Sequence, residues 1–331
     1  MTLAFLAFTD KGKQLADRLA AALGGTAQRC NAPLTLDGWT AEHFSKSDGL
    51  VYVGAAGIAV RAIAGYLQNK AADPAVVVVD ECAQYAVPIL SGHLGGANDL
   101  ARSIAKVCGA LPVLTTATDA NGLFAVDEWA KRQNCLVLNP EKIKVVSAKL
   151  LAGGTISVQS PWPIQGQLPQ GVAQVEDKSY DVLLGVRTRG RDVLRLVPRI
   201  AVLGVGCKKD ISQQALEEGL RAVLAKASAY EQASIAVATS DIKKDEPGLH
   251  AFCAAHGWPL KTYTAEQLWT AKGKFTSSTF VQNITGVDNV CERSSVLASG
   301  GTLYQTKNAG NGVTMAIALA PYTPNWRWQD E

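Results

Sequence analysis

The sequence predicts an α/β fold. Two three-layer α/β/α domains, an N-terminal flavodoxin-like parallel sheet and a C-terminal mixed sheet, are joined by a smaller α/β middle region. Three observations carry this. Short apolar runs rich in valine, Leu50–Val53 and Ala75–Val79, have the length and β-branched content of buried strands. Helix-like segments alternate with such runs across short loops, the pattern of a parallel sheet covered on both faces. At 331 residues the chain is too long for one ordinary core. The expected domains are 1–120, 121–199 and 200–331.

The elements follow in order. Leu3–Phe8 reads as a first strand, and Thr9 or Asp10 can cap a helix over Lys11–Leu23, stopped by Gly24-Gly25. Thr26–Cys30 is a short strand and Thr40–Ser45 a short helix. Leu50–Val53 runs through Gly54-Ala-Ala-Gly57 into a helix. Ala75–Val79 is followed by a turn at Glu81–Gln84, an extended piece at Tyr85–Leu90, and the loop Ser91–Asn98. A helix over Gly96–Val107 and a strand at Leu111–Thr115 complete the first domain. In the middle, Leu123–Arg132 and Glu141–Leu151 look helical around a strand at Leu136–Leu138. Gly153–Gly171, with three prolines, has linker chemistry. Tyr180–Gly185 and Val193–Val197 suggest a hairpin around an arginine-rich turn at Arg187, Arg189 and Arg191. From Ile200 a second α/β unit begins. Ile200–Val205 is a strand, a helix capped by Asp210 or Ser212 runs to Ala227, and Ser234–Ala238 is a strand. Gly248–His256, Ala265–Ala271 and Val287–Ala298 are helices, and Leu303–Thr306 and Val313–Leu319 close as strands.

Composition narrows the function classes. The content is 47% hydrophobic and 18% charged, as in globular proteins, and the net charge of +3 is too small for a general nucleic-acid surface. The seven cysteines show no CxxC, and the four histidines no HExxH spacing, so no protein-held metal is expected. The first residues hold an apolar run of six without a preceding basic residue, too short for a signal peptide or membrane span. A cytoplasmic protein bound to neither membrane nor nucleic acid is the expectation.

Five stretches can carry chemistry. In Gly54-Ala-Ala-Gly57 through Arg61, strand, glycine turn and helix start gather backbone N–H groups. They suit a carboxylate, with Arg61 beside it, or else the glycines only permit close packing. Ser91-Gly92-His93-Leu94-Gly95-Gly96-Ala97-Asn98 places a hydroxyl, an imidazole and an amide among three glycines. His93 there suits a general base, although His93 and Asn98 can equally cap the next helix. Asp80 and Glu81 follow a buried strand, where ligands of parallel sheets bind, and either can orient His93 or simply face water. In Gly204-Val-Gly-Cys-Lys208-Lys209, two lysines oppose a helix dipole, which hints at an anionic ligand. A last polar cluster, Thr276-Ser277-Ser278 with Asp288, Glu292 and Arg293, suits a site wall or a capped surface helix. The two loops of the first domain are expected to aim at one spot.

Four strings, GLVYVGAAGIAVRAIA, VVVVDECAQYAVPILSGHLGGANDLA, LGVGCKKDIS and ITGVDNVCERSSVLASGG, resemble the cobalt-precorrin-5A hydrolases of anaerobic cobalamin synthesis, in the family's order. The middle region carries no matching motif. The resemblance implies a substrate that is a cobalt-bearing tetrapyrrole with a δ-lactone and many carboxylate arms. Water opens the lactone and a two-carbon fragment leaves as acetaldehyde, giving cobalt-precorrin-5B. No cofactor is implied, because the cobalt arrives within the substrate. Other corrin-pathway enzymes are candidate partners. With this reaction, His93 is the expected base, oriented by Asp80 or Glu81, and Glu292 a second acid/base group in a cleft between domains. Gly54, Gly57, Arg61, Ser91, Gly92, Gly95, Gly96, Asn98, Lys208, Lys209, Ser277, Ser278 and Arg293 are the expected substrate contacts. The alternatives are a non-catalytic tetrapyrrole carrier and a nucleotide-binding Rossmann-type enzyme. The second is disfavoured by the absence of GxGxxG.

Overall fold

The computed structural model describes residues 1–68, 72–93, 95–176, 179–188 and 190–328; Leu94 and Arg189, both in stretches singled out above, lie outside the described residues. The chain forms two compact units, Met1–Glu128 with Leu150–Gly153, and Trp129–Lys149 with Gly154–Glu331. Most of the middle region thus belongs to the second unit. Among the described residues no helix is long and apolar enough to cross a membrane.

The first unit holds β1 (Leu3–Ala7), α1 (Asp10–Leu23), β2 (Thr26–Arg29), α2 (Leu36–Phe44), β3 (Gly49–Val53), α3 (Ala56–Ile63), β4 (Ala75–Val79), β5 (Tyr85–Leu90), α4 (Ala97–Cys108), β6 (Leu111–Pro112) and α5 (Ala117–Ala120), and leads into α6 (Val126–Arg132). Its sheet has the order β2-β1-β3-β4-β5-β6. Alternate residues of the central strands feed two cores. Phe5, Val51, Val53 and Val77 pack with Leu15 and Leu19 of α1 and Leu100 and Ile104 of α4. Leu6, Leu50, Tyr52 and Val76 pack with Trp39 and Phe44 of α2 and Ile63 of α3. Both faces of β3 and β4 are covered, which is why their sequences are continuously apolar. Helix α2 begins four residues before the expected position, capped by the Thr35 hydroxyl. Thr40, the expected start of this helix, is buried and hydrogen-bonds Leu36 O and the Tyr52 hydroxyl.

The sheet is parallel only from β2 to β4. Strand β5 runs antiparallel to β4, pairing Val79 with Ala86 and Val76 with Leu90, and β6 is parallel to β5. The reason is the connection. Asp80–Gln84 is a turn, and a parallel return needs a crossover of a dozen or more residues. The chain therefore arrives at Ser91 beside the start of β4, not beside its end.

The second unit contains α7 (Ile143–Leu151, its last two residues counted with the first unit) and two sheets. One sheet has β7 (Cys135–Val137), β8 (Ile156–Gln159), β9 (Val172–Val175), β10 (Val182–Leu184) and β11 (Leu194–Pro198) in the order β7-β11-β10-β8-β9. The expected hairpin at Tyr180–Val197 is instead a parallel pair, Val182 opposite Leu194. The connecting arginine segment is drawn away by bonds from Thr188 N to Ser228 O and from Tyr230 N to Val186 O. The presumed linker supplies β8, with alternating burial.

The other sheet contains β12 (Ala201–Cys207), α8 (Gln213–Ala227), β13 (Ser234–Ser240), α9 (Pro247–His256), β14 (Leu260–Tyr263), α10 (Ala265–Trp269), α11 (Thr279–Thr285), α12 (Cys291–Ser299), β15 (Thr302–Gly310) and β16 (Val313–Leu319). Its order is β14-β13-β12-β16-β15, mixed as expected. Gly204 lies inside β12, not in a turn. A Cβ there would stand 1.7 Å from Cys291 O, so this glycine lets α12 lie directly on the sheet. Helix α12 begins at Cys291 rather than Val287, and the missed helix α11 precedes it.

Candidate active site

The loop after β5 is shaped by its small residues. Ser91 has φ of 54° and its hydroxyl donates to Asp73 O at 2.9 Å. A Cβ on Gly95 would stand 2.3 Å from the Ser91 Cβ, and one on Gly92 would stand 2.9 Å from Asn98 Oδ1. Gly96, with φ of 87°, turns the chain into α4. The helix start is closed by the loop itself: Ala97 N donates to Ser91 O at 3.1 Å and Asn98 N to Gly92 O at 2.9 Å. These two N–H groups are spent inside the fold, and the loop mounts His93 ahead of α4.

His93 is held from both sides. Its Nδ1 lies 3.1 Å from Asp127 Oδ2 and its Nε2 lies 2.8 Å from Asp119 Oδ2, with Glu128 Oε1 3.8 Å from Nε2. Asp119 is fixed in turn. Its Oδ2 also accepts from Asn98 Nδ2 at 3.0 Å and from the Thr116 hydroxyl, and its Oδ1 accepts from Arg102 Nη2 at 2.8 Å. The His93 side chain keeps 14% of its exposure, against 4% for Asp119 and Glu128. It is more exposed than the carboxylates that hold it, and only Arg102, at 25%, is more open within the cluster. Asp119 lies on α5, Asp127 and Glu128 on the first turn of α6, and Arg102 on α4.

Burial alone would lower the His93 pKa. The hydrogen bonds to Asp119 and Asp127 and the charges of Asp127 and Glu128 outweigh it and lift the value to about 10. Burial opposes the charged form of Asp119, but its bonds from His93 and Thr116 and the nearby cations hold it near 2. Burial pushes Glu128 up to about 7, with His93 and Arg102 limiting the rise. Glu128 stands out in another way: neither carboxyl oxygen has a hydrogen-bond partner among the described residues. An imidazole with a carboxylate on each nitrogen is favoured as the cation at neutral pH, whereas a general base needs the neutral ring.

His93, Asp119 and Glu128 also offer ligand atoms within 4.8 Å of one another, enough to consider a metal. The donor set fits one poorly. Asp119 Oδ2 already accepts three hydrogen bonds, and the Arg102 guanidinium stands in the same cluster, 4.0 Å from Glu128 Oε1.

The other expected residues separate from His93. Gly54 and Asp80 follow the ends of β3 and β4, whereas Ser91 lies beside the start of β4. Five residues of strand, about 16 Å at ~3.3 Å each, lie between the two groups. Asp80 accepts backbone N–H bonds from Cys82, Gln84 and Tyr85 at 2.9, 2.8 and 2.6 Å. Glu81 accepts from the Thr9 hydroxyl at 2.7 Å. Neither orients His93: one closes the β4–β5 turn and the other joins that turn to the start of α1. Arg61 is exposed, and among the described residues its Nη1 reaches only its own helix, at Gly57 O, 3.4 Å away. The two glycine loops therefore do not face one spot.

In the second unit, Glu292 is fully buried and saturated. It accepts from Thr276 N at 2.7 Å, Thr276 Oγ1 at 2.9 Å and Lys307 N at 2.7 Å. It ties α12 to β15 and to the segment before α11, which leaves it no room for acid/base work. Arg293 is clamped between the rings of Trp269 and Phe275, at 4.4 and 4.6 Å, with Nε on Asp288 at 2.7 Å. The Ser278 hydroxyl caps α11 and Ser277 is exposed. Lys208 lays its stem against Gly312, and Lys209 is exposed.

The sequence reading missed Asp119, Asp127, Glu128 and Arg102. The signal was the adjacent pair Asp127-Glu128, which as first-turn acids of a helix reads as ordinary dipole complement.

Residues 38–119 match the family model described as Cobalamin synthesis G N-terminal, and residues 201–318 match Cobalamin synthesis G C-terminus. A cobalt-precorrin-5A hydrolase of Salmonella typhimurium is 33% identical over 344 residues, spanning 96% of this chain and 98% of that protein. One of Priestia megaterium is 30% identical over 301 residues, spanning 84% and 80%. Among solved structures, a cobalamin biosynthesis protein G homologue from Sulfolobus solfataricus aligns over 97% of each chain, with TM-score 0.42 and 20% identity.

Proposed function

The chain belongs to the cobalt-precorrin-5A hydrolase family, and on that premise we propose that it opens the δ-lactone of cobalt-precorrin-5A with water and releases acetaldehyde, leaving cobalt-precorrin-5B. The cobalt enters as part of the substrate. The observation that supports a role for this chain's own residues is the partly exposed His93 imidazole bracketed by Asp119 and Asp127.

The steps use the proton that these carboxylates hold on the ring. Water adds to the lactone carbonyl carbon and its two protons leave to solvent. The acyl C–O bond breaks, the acyl carbon becomes a carboxylate arm, and the departing alkoxide takes the proton from His93 Nε2, which turns to it from Asp119 Oδ2. A ring whose pKa is near 10 gives a proton readily to an alkoxide, which is far more basic. The neutral imidazole left behind is a stronger base than an ordinary histidine. It then takes the proton of the new hydroxyl, the C=O of acetaldehyde forms, and the bond from that carbon to the ring breaks with its electron pair passing into the macrocycle. Asp127 holds the ring plane through Nδ1, and the bonds from His93 and Thr116, with the Arg102 charge, keep Asp119 ionised. The same group thus acts as acid and then as base.

The test is to mix the protein with cobalt-precorrin-5A and follow acetaldehyde by its reduction with alcohol dehydrogenase and NADH. Wild type should release one acetaldehyde per substrate. His93→Ala should bind substrate and lose about 10²- to 10⁴-fold in kcat. Acetaldehyde release at the wild-type rate by His93→Ala would remove His93 from the chemistry. Binding without any acetaldehyde from the wild type would favour a carrier.

A further inference from the structure

The β4–β5 turn carries a thiol that the reaction proposed above does not use. All seven cysteines are free, and Cys82 is the exposed one; the others are half-buried or buried. Lys11, on the first turn of α1, donates from Nζ to Cys82 Sγ at 3.0 Å, across 71 positions of the chain. Both side chains are exposed, and both line a surface hollow of about 290 Å³. A small solute therefore reaches the sulfur, and the lysine nitrogen is already in contact with it.

The backbones on both sides of this contact are fixed. The three N–H bonds to Asp80, from Cys82, Gln84 and Tyr85, shape the turn, with Ala83 at φ of 56°. Glu81 accepts from the Thr9 hydroxyl at 2.7 Å, and the same hydroxyl accepts from Gly12 N at 2.9 Å as the cap of α1. The turn that carries Cys82 and the helix start that carries Lys11 are thus joined beside the pair. The approach of nitrogen to sulfur does not depend on the lysine stem alone. Since no cysteine pairs with Cys82, the nucleophile next to its sulfur is the Lys11 amine.

We infer that Lys11 and Cys82 form a covalent link between α1 and the β4–β5 turn when a peroxide oxidises the sulfur. Cys82 Sγ takes one oxygen from hydrogen peroxide, giving a sulfenic acid and water. The Lys11 ammonium, whose pKa is raised chiefly by its bond to Cys82, gives its proton to water before it reacts. The amine then attacks the sulfur: the S–N bond forms, the S–O bond breaks, and the departing hydroxide and the second amine proton leave as water. One thiol, one amine and one peroxide thus become one sulfenamide and two waters. A dithiol reverses the link by attacking the sulfur, which frees the amine, and then reducing the mixed disulfide. The link closes a loop of 71 positions, so it removes much of the unfolded chain's freedom. It uses no residue of the His93 cluster and does not depend on the reaction proposed above.

The experiment is mass spectrometry of the full chain after near-stoichiometric hydrogen peroxide, without reductant. Wild type should lose about 2 Da, and its tryptic digest should hold a peptide joining Lys11 to Cys82; dithiothreitol should reverse both. Lys11→Arg keeps the charge without the amine. It should stop at the sulfenic acid, with a gain of about 16 Da and a dimedone adduct at Cys82. Cys82→Ser should show neither change. Both residues are exposed, so these variants test the chemistry rather than folding. The linked wild type should also unfold at a higher urea concentration than the reduced protein. The inference is overturned if the oxidised wild type yields no Lys11–Cys82 peptide, if its Cys82 takes up as much dimedone as Lys11→Arg, or if its urea midpoint equals that of the reduced protein.

Discussion

At the scale of residues, the first unit's cluster ties activity and stability to pH through two groups raised by their surroundings. Glu128, lifted to about 7 by burial, is half protonated near neutral pH and protonated below it. As it ionises, a negative charge arises 3.8 Å from His93 Nε2 and holds the ring proton more tightly. The expected outcome is a kcat that falls above about pH 7, and Glu128→Gln should abolish that fall. A wild-type profile flat to pH 9 would show that Glu128 does not control the proton. Asp127→Asn should act as the loss of a positioning residue, with kcat reduced, KM little changed and the pH profile displaced. The stability signs follow from the same shifts. His93 and Glu128 have folded pKa values above their unfolded ones, so their contributions are complete below about pH 6.5 and 4.5 and fade as pH rises through about 10 and 7. Asp119, held near 2, contributes above about 3.8 and loses its contribution as pH falls toward 2. The cluster is therefore most stabilising near pH 4. Urea midpoints of wild type should decline from pH 5 to 9 more steeply than those of a His93→Gln, Glu128→Gln double variant.

Among the elements, α12 shows how a polar sequence can be core. Its first six residues, Cys291 through Val296, are all buried, including Glu292, Arg293, Ser294 and Ser295. Read as a sequence, CERSS looks like a surface helix or a site wall. In the fold each polar group has a local partner: Glu292 binds Thr276 and Lys307, and Arg293 binds Asp288 between two aromatic rings. The Ser294 hydroxyl donates to Ala238 O at 3.0 Å, and the Ser295 hydroxyl to Glu292 O at 2.8 Å. The opposing requirement falls on β12, where Gly204 admits the helix backbone. Glu292→Gln replaces an acceptor of three bonds by a group with donors facing donors. It should cost about 2–4 kcal/mol in denaturant unfolding. Gly204→Ala should cost at least as much, because the Cβ meets backbone rather than a movable side chain. Near-wild-type stability of Glu292→Gln would mean that its carboxylate is not the staple described.

Across each unit, legibility followed sequence distance. The apolar runs gave both α/β sheets, and the glycine-rich string around His93 identified the loop that presents it. The partners of His93 were not legible, because Asp119 and Asp127 lie 26 and 34 residues further on and reach it only through β6 and α5. The direction of β5 had a visible cause in the short Asp80–Gln84 turn. Its consequence is that the two glycine loops lie at opposite ends of one sheet, and this overturns the expectation that Asp80 orients His93. The separation can be tested by coupling. Asp80→Ala removes an acceptor of three backbone bonds, and Asp119→Asn disturbs the bracket around His93. If Asp80 acted on the His93 cluster, the two changes would share partners and their stability effects would interact by about 1 kcal/mol or more. With roughly 16 Å of strand between them and no shared partner, their effects should add to within about 0.5 kcal/mol. Asp80→Ala should also leave the pH dependence of kcat where wild type has it, while Asp119→Asn moves it. A coupling energy above about 1 kcal/mol in urea unfolding would return the two loops to a single site.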